Sequence, residues 1–248
     1  MGTTCKNLFF SEEEMLTKSY EEFDRQRVDD EKFIIKFKIN DDNETTTNKS
    51  PIELEVIHVN SCDSTMTTSR EYIDQGNELP FIYNTVYQTK GRGKGARKWA
   101  GSIPGNIYTS SCIPNNMIRN EFNSNDIIVK ITAISIIQQL RKYSDQFFLK
   151  YPNDIICIDR RKLGGILVES YKDFYIIGFG INIVNKPEQS EIRKGGLLPC
   201  FVNEHLTDPK IKPEALDLSI EITKQIIINL RETMEGINNL FNKYVENE

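Results

Sequence analysis

Histidine occurs twice and tryptophan once in these 248 residues. Neither His58 nor His205 stands at a spacing that pairs metal ligands or builds a nucleophile-base triad, so both read as structural or exposed side chains and no metal site is expected. No Gly-x-Ser-x-Gly segment is present, which argues against a serine hydrolase. The five cysteines (Cys5, Cys62, Cys112, Cys157 and Cys200) are odd in number, scattered and without a Cys-x-x-Cys pair. That pattern carries neither a disulfide framework nor a zinc knuckle, and it reads as the reduced thiols of a cytoplasmic protein. The N-terminus lacks the apolar core of a signal peptide, and no run approaches the length of a membrane span. Lys6 stands where a myristoylation motif needs Ser or Thr, and no internal repeat is visible.

What is present suits one globular unit: 38% hydrophobic and 27% charged residues are enough for a substantial core. With a net charge of -5 and no helix-turn-helix pattern near the N-terminus, neither a DNA partner nor a membrane surface is expected. Residues 1–50 read as an N-terminal extension of uncertain role. In it, a short helix is expected over Ser11 to Phe23 with Ser11 and Glu14 as its capping box, a strand from Phe33 to Ile39, and a polar loop over 41–50. The main domain is expected over 51–248.

Within that domain Ile52 to Val59 and Ile82 to Gln88 read as strands, separated by a helix from Ser64 to Gln75 that ends at Gly76. Gly105 to Ser111 reads as another strand. Asp126 to Tyr143 spaces its apolar residues as a long helix, with Asp126 at one end and Arg141 and Lys142 at the other, each on the side its charge prefers. The segment FLKYPNDIICIDRRKLGGILVES suggests two strands about a turn at Asp159 to Arg161, YIIGFGINI suggests one more, and helical periodicity returns after Pro213. The implied class is α+β, with a mixed, mainly antiparallel sheet flanked by helices.

The strongest local signal is QTKGRGKGARKW, from Gln88 to Trp99. Gly91, Gly93 and Gly95 alternate there with cations, and Lys90, Arg92, Lys94, Arg97 and Lys98 concentrate positive charge in an acidic chain. No GK[ST] closes it, and Ala96 stands where a dinucleotide fingerprint needs glycine, so neither common phosphate loop fits. A backbone free of side-chain bulk can still turn N–H groups toward an anion while Arg92 and Lys94 add charge-assisted hydrogen bonds. Taken alone, the loop fits a solvated basic hairpin equally well.

Further blocks follow in order: SCDSTMTT (61–68), PGNIYTS (104–110), KYPNDI (150–155), RKLGGILVES (161–170) and GFGINI (178–183). With the glycine loop, this series resembles the signatures of biotin protein ligases over about residues 51–248, and STM after an acidic residue is most similar to the eukaryotic, holocarboxylase-synthetase-type branch. The resemblance implies the class II aminoacyl-tRNA synthetase-like catalytic fold. It implies a ligase that joins biotin and ATP to biotinyl-5′-AMP and passes biotin to a lysine on the biotin acceptor domain of a carboxylase. ATP implies Mg2+, and the protein is expected as a monomer or homodimer.

Carried residue by residue, the resemblance makes Lys162, Arg92, Lys94 and Asp154 the catalytic set. Ser64, Thr65, Met66, Gln88, Gly91, Arg92, Gly93, Lys94, Lys162, Gly165, Gly178 and Gly180 would bind biotin. Arg92, Lys94, Arg97, Trp99, Asn153, Lys162 and Asn182 would bind ATP or the adenylate. Attack of a carboxylate on the α-phosphorus brings two anions together, which is why fixed cations matter. Each residue also has a plainer role open to it: Lys162 as an exposed hairpin lysine, Ser64 and Thr65 as a helix cap, Trp99 as core, Asn153 and Asp154 as a turn after proline, the glycines as bulges, Asn182 as a strand-end cap.

Two departures from the family pattern stand out. Lys94 replaces an arginine, exchanging a bidentate fork for a point charge. The small SH3-like domain that normally follows the catalytic core is not recognisable before KYVENE, so it is expected either to be naturally absent or to be cut off by truncation of the sequence. Competing readings are a lipoate ligase or octanoyltransferase of the same fold, and a non-catalytic regulator that binds an acyl-adenylate. A glycine loop with few contacts of its own should order over its ligand. Limited proteolysis with and without biotin plus ATP should therefore show ligand-dependent protection of residues 91–98; equal cleavage in both states would contradict it.

Overall fold

A computed structural model describes residues 20–28, 32–39, 51–188, 190, 192 and 195–245. Nine strands form one sheet: β1 Tyr20–Arg27, β2 Lys32–Ile39, β3 Ile52–Cys62, β4 Phe81–Gln88, β5 Ile107–Pro114, β6 Phe147–Lys150, β7 Asp154–Cys157, β8 Lys162–Tyr171 and β9 Phe174–Ile181. Their spatial order is β1-β2-β3-β4-β5-β9-β8-β7-β6. All neighbours are antiparallel except β3 and β4, which run parallel because helix α1 (Thr65–Asp74) crosses between them. The longer helices are α2 Asn125–Leu140, α3 Ala215–Asn229 and α4 Met234–Tyr244. The expected mixed, mainly antiparallel α+β architecture is therefore the observed one.

Alternation along the strands divides the sheet into two faces. Ile35, Phe37, Leu54, Val56, Ile82, Ile113, Ile177, Phe179 and Ile181 point to the face covered by α2, α3 and α4, where the larger core lies. Ser124 Oγ caps α2 by accepting from Ile127 N. The helix is apolar around most of its circumference because sheet and helices enclose it on several sides. The opposite face carries a smaller cluster, Ile57, Val59, Met66, Ile73, Phe81, Tyr83, Cys112, Phe174 and Ile176, gathered under α1. Helix α1 lies mainly over β4, β5 and β9 and reaches the far end of β8 through Arg70, which leaves β8 around Gly165 less covered.

Several expectations change. The helix expected from Ser11 to Phe23 lies outside the described residues up to position 19, and residues 20–23 open β1, whose ladder with β2 outweighs a local capping signal. The 41–50 loop also lies outside the described residues. Strand β2 pairs with β3 along its whole length and sends Ile35, Phe37 and Ile39 into the larger core, so the sheet continues across the expected boundary at residue 51. The segment 147–171 holds three strands, divided by turns at 151–153 and 158–161. The expectation of free thiols fails at Cys157 and Cys200, which form a disulfide, while Cys62 and Cys112 are free. A segment that returns to pair Pro199 with Lys162 brings together two cysteines far apart in sequence. No helix among the described residues is long and apolar enough to cross a membrane.

A polar chain runs through the larger core. His58 Nδ1 lies 2.6 Å from Asn84 Oδ1, Asn84 Nδ2 donates to Thr109 Oγ1 at 2.7 Å, and Thr109 donates to Ser219 Oγ on α3 at 3.0 Å. Burial lowers the His58 pKa below its ordinary 6.5, and the Asn84 hydrogen bond offsets this only in part. The fold thus prefers neutral imidazole. Its contribution is complete above pH 6.5 and falls as pH drops through the lowered folded value, with a slope of up to ~1.4 kcal/mol per pH unit. Urea melts at pH 7.5 and 5.5 should show a smaller stability loss in His58→Gln than in the wild type; equal losses would exclude His58 as the source.

Candidate active site

The site begins with the pairing of β8 and β9. Gly165 faces Gly180 and Leu167 faces Gly178 across the ladder, so this part of the α1 face has a floor nearly free of side chains. A register shift where β7 meets β8 turns Lys162 to the same side as Gly165, Leu167 and Glu169, while Leu163, Ile166 and Val168 are buried. What little a glycine floor loses in packing here, it returns as space for a flat ligand.

One end of the hollow is neutral and polar. Ser64 occupies the N-cap position of α1 yet makes no capping bond with its side chain, and its buried Oγ has no partner among the described residues. The cap is supplied instead by Gln88, whose Oε1 accepts from Thr65 N at 2.9 Å. Ser110 Oγ donates to Thr65 Oγ1 at 2.8 Å. Met66 lies over Gly178, where any added Cβ would meet its thioether.

The cationic loop forms the opposite wall. Trp99 N donates to Gly91 O and Gly93 N to Arg97 O, both at 2.9 Å, which makes a small hairpin with Arg92 bridged to Lys98. Gly91 is required here because a Cβ would collide with the Trp99 carbonyl. The expectation of a loop with few contacts of its own is thus corrected at its base, whereas residues 94–98 are exposed. Arg92 reaches across to β8, where its NH2 and NH1 donate to Glu169 Oε1 and Oε2 at 2.6 and 3.1 Å, and Arg70 NH2 donates to the same Oε2 at 2.8 Å.

Lys162 Nζ donates to Asp154 Oδ1 at 2.6 Å and lies 5.4 Å from the centre of the Trp99 ring. The indole covers Gly180 so closely that a Cβ there would overlap it, and its buried Nε1 has no partner among the described residues. With Trp99 and Met66 over the glycine floor, the inner hollow is narrowed to about 90 Å³. A wider outer hollow of about 670 Å³ lies beyond, and Arg97, Lys98, Trp99 and Lys162 line both.

Among the residues singled out from sequence, the inner hollow gathers Ser64, Thr65, Met66, Gln88, Arg92, Gly93, Lys94, Arg97, Trp99, Asn153, Lys162, Gly165, Gly178 and Gly180. Arg92 and Lys162, far apart in sequence, share it. Asp154 and Asn182 line the outer hollow, where Asn182 Nδ2 donates to Cys200 O at 2.9 Å. Gly91 lies behind the inner hollow, against Trp99 and Gln88. Sequence reasoning missed Leu167, which lines the inner hollow, and Glu169, which holds Arg92; both follow Gly165 at the strand period, a signal that was available.

Fold and geometry define a class: a mainly antiparallel α+β domain with a cation-rimmed, glycine-floored hollow for a small molecule on one sheet face. The model of the biotin/lipoate A/B protein ligase family matches residues 59–182, half of the chain, and the chain belongs to that family. It is 28% identical over 117 residues to human biotin--protein ligase, a match covering 44% of this chain and 16% of that one. It is 30% identical over 115 residues to the bifunctional ligase/repressor BirA of Salmonella typhimurium, covering 44% of this chain and 35% of that one. The matches therefore span a minor part of either relative. Among solved structures, the biotin protein ligase of Leishmania major in complex with biotinyl-5-AMP aligns with a TM-score of 0.67 at 23% identity, over 77% of this chain and 81% of that one. The biotin protein ligase of Aquifex aeolicus in complex with biotin and ATP aligns with a TM-score of 0.59 at 25% identity, over 73% and 72%. At the Leishmania identity the likeness is one of fold.

The chain's single tryptophan reports on this packing. Gly180→Ala should displace the indole, red-shift its emission and cost about 1–3 kcal/mol of stability by overpacking. Emission and melting unchanged from the wild type would mean that Trp99 does not rest on Gly180.

Proposed function

We propose that the chain is a biotin–protein ligase. The observation that carries this reading is the convergence of the Arg92–Lys98 loop and Lys162 on one hollow whose other end is neutral and polar and whose floor is glycine. Biotin suits that gradient: an uncharged ureido head, a flat bicyclic body and a carboxylate tail. The ureido group meets Ser64, Thr65 and Gln88. With Gln88 Oε1 already engaged by Thr65, its amide NH2 serves as the donor, and the orphaned Ser64 Oγ takes up a further bond. The rings lie on Gly165, Gly178 and Gly180 once the Trp99 indole and the Met66 thioether, which cover Gly180 and Gly178 in the empty site, swing aside, and this places the carboxylate near Lys162.

In the first step a carboxylate oxygen attacks the α-phosphorus of ATP, the bond to the bridging oxygen breaks, and pyrophosphate leaves with the electron pair. Lys162, Lys94 and Arg97 stabilise the charge that grows on the α-phosphate oxygens, and Mg2+ arrives with ATP as part of that substrate. Asp154 holds the Lys162 ammonium in place through its 2.6 Å bond. Asn153, Asn182 and Trp99 flank the nucleotide. In the second step an acceptor lysine of a carboxylase domain attacks the acyl carbon, Asp154 takes up the proton, and AMP leaves. The cationic wall keeps water from the anhydride in between.

Purified protein given labelled biotin, Mg-ATP and a biotin-carrier domain should label the carrier's lysine, with excess lipoate failing to compete. Labelling suppressed by lipoate would favour the lipoate branch, and binding without labelling a regulator. Lys162→Ala should lower kcat/KM for biotin-dependent ATP–pyrophosphate exchange by about 10²–10³ while melting as the wild type does; normal exchange would remove Lys162 from the chemistry.

A further inference from the structure

A carboxylate is unexpected beside a cation-rimmed hollow, yet Glu169 lies on the same β8 face as Gly165 and Leu167, with its side chain only 21% exposed. We infer that Glu169 is a positioning residue that latches the glycine loop to the sheet, and that Arg92 serves as the anchor of the loop while other cations meet the phosphate. This rests on the ligase reading of the same hollow.

The geometry of the pair carries the argument. Arg92 meets Glu169 fork to fork, through NH2 to Oε1 at 2.6 Å and NH1 to Oε2 at 3.1 Å. Both terminal nitrogens are directed at the carboxylate, so the guanidinium cannot also grip a phosphate bidentately from this position. Arg70, on α1, donates to Oε2 at 2.8 Å and stacks 5.0 Å above the Tyr171 ring, which joins α1 to the same latch. Two guanidinium groups on one carboxylate leave the cluster net positive, so Glu169 does not repel an anion next door. Fixing Arg92 also fixes the hairpin it belongs to: Arg92 bridges Lys98, and the bonds between Gly93 and Arg97 and between Gly91 and Trp99 set where Arg97, Lys98 and Trp99 stand. The charges left to face the substrate are Lys94, Arg97, Lys98 and Lys162.

The test compares the wild type, Glu169→Gln, Arg92→Gln, the double variant and Glu169→Asp in two readouts. Brief trypsin digestion of the unliganded proteins, scored by mass at Lys94 to Lys98, should show cleavage about tenfold faster in either Gln variant, no faster again in the double variant, and partly restored to wild type in Glu169→Asp. Biotin-dependent pyrophosphate exchange should show KM raised to a similar extent in Glu169→Gln and Arg92→Gln, with kcat little changed. Additive effects on cleavage, or kcat lost in Arg92→Gln but retained in Glu169→Gln, would overturn the inference and return Arg92 to the phosphate. Exchange missing from the wild type would defeat the ligase reading, while the cleavage pattern would still decide the latch.

Discussion

The pairing of β8 with β9 is the constraint from which the site follows. These two strands place Gly165 opposite Gly180 on one face, while Ile166, Val168, Ile177, Phe179 and Ile181 on the other face anchor the same backbone in the larger core. A floor without side chains is only useful if it does not flex, and here rigidity comes from behind, through close packing under helix α2. The two-residue period of a strand allows both demands to be met by one segment. Hollow-facing and core-facing residues alternate, and neither role interferes with the other.

Electrostatics impose the second constraint. A cluster of cations repels itself, and long side chains lose entropy when held in one place. Carboxylates relieve both problems at three points: Asp154 holds Lys162, Glu169 holds Arg92 together with Arg70, and Asp63 holds Lys90. In a chain of net charge -5 the loop cations concentrate positive charge at the rim of the hollow, where it can attract a small anion. The exposed residues 94–98 have no such carboxylate partner among the described residues, and two of them, Arg97 and Lys98, line both hollows.

The order of elements from Ile52 to Ile181 was legible in the sequence because each carries a local signal: strand alternation before and after Thr65–Asp74, Gly76 with its positive φ of 91° ending that helix, and Asp126 in the first turn of α2. The candidate site was legible mainly through ordered motifs whose separate segments meet in one hollow. Long-range pairing escaped. Tyr20 to Phe23 read as helical because Ser11 and Glu14 have the spacing of a capping box, and the ladder with β2 makes them strand. The joining of Cys157 to Cys200 depended on a returning segment whose Leu198 carbonyl and Cys200 N–H bracket Lys162. The strand period after Gly165 gives the face of Glu169, but its partners Arg92 and Arg70 lie far away in sequence and leave no local sign beside it.

By itself the sequence determined which chemistry is on offer: glycines that admit close approach, cations set against an acidic background, neutral hydroxyl and amide groups, and one tryptophan to cover them. Local pattern is enough for this, since helix and strand periods depend on neighbours within a few residues. Tertiary structure decided which of these groups meet. The β7–β8 register shift aims Lys162 across the floor, Gln88 and not Ser64 caps α1, and Arg92 finds Glu169 across the sheet. Those outcomes depend on packing and pairing between residues distant in the chain, where the competing local arrangements differ by too little for any short segment to settle them.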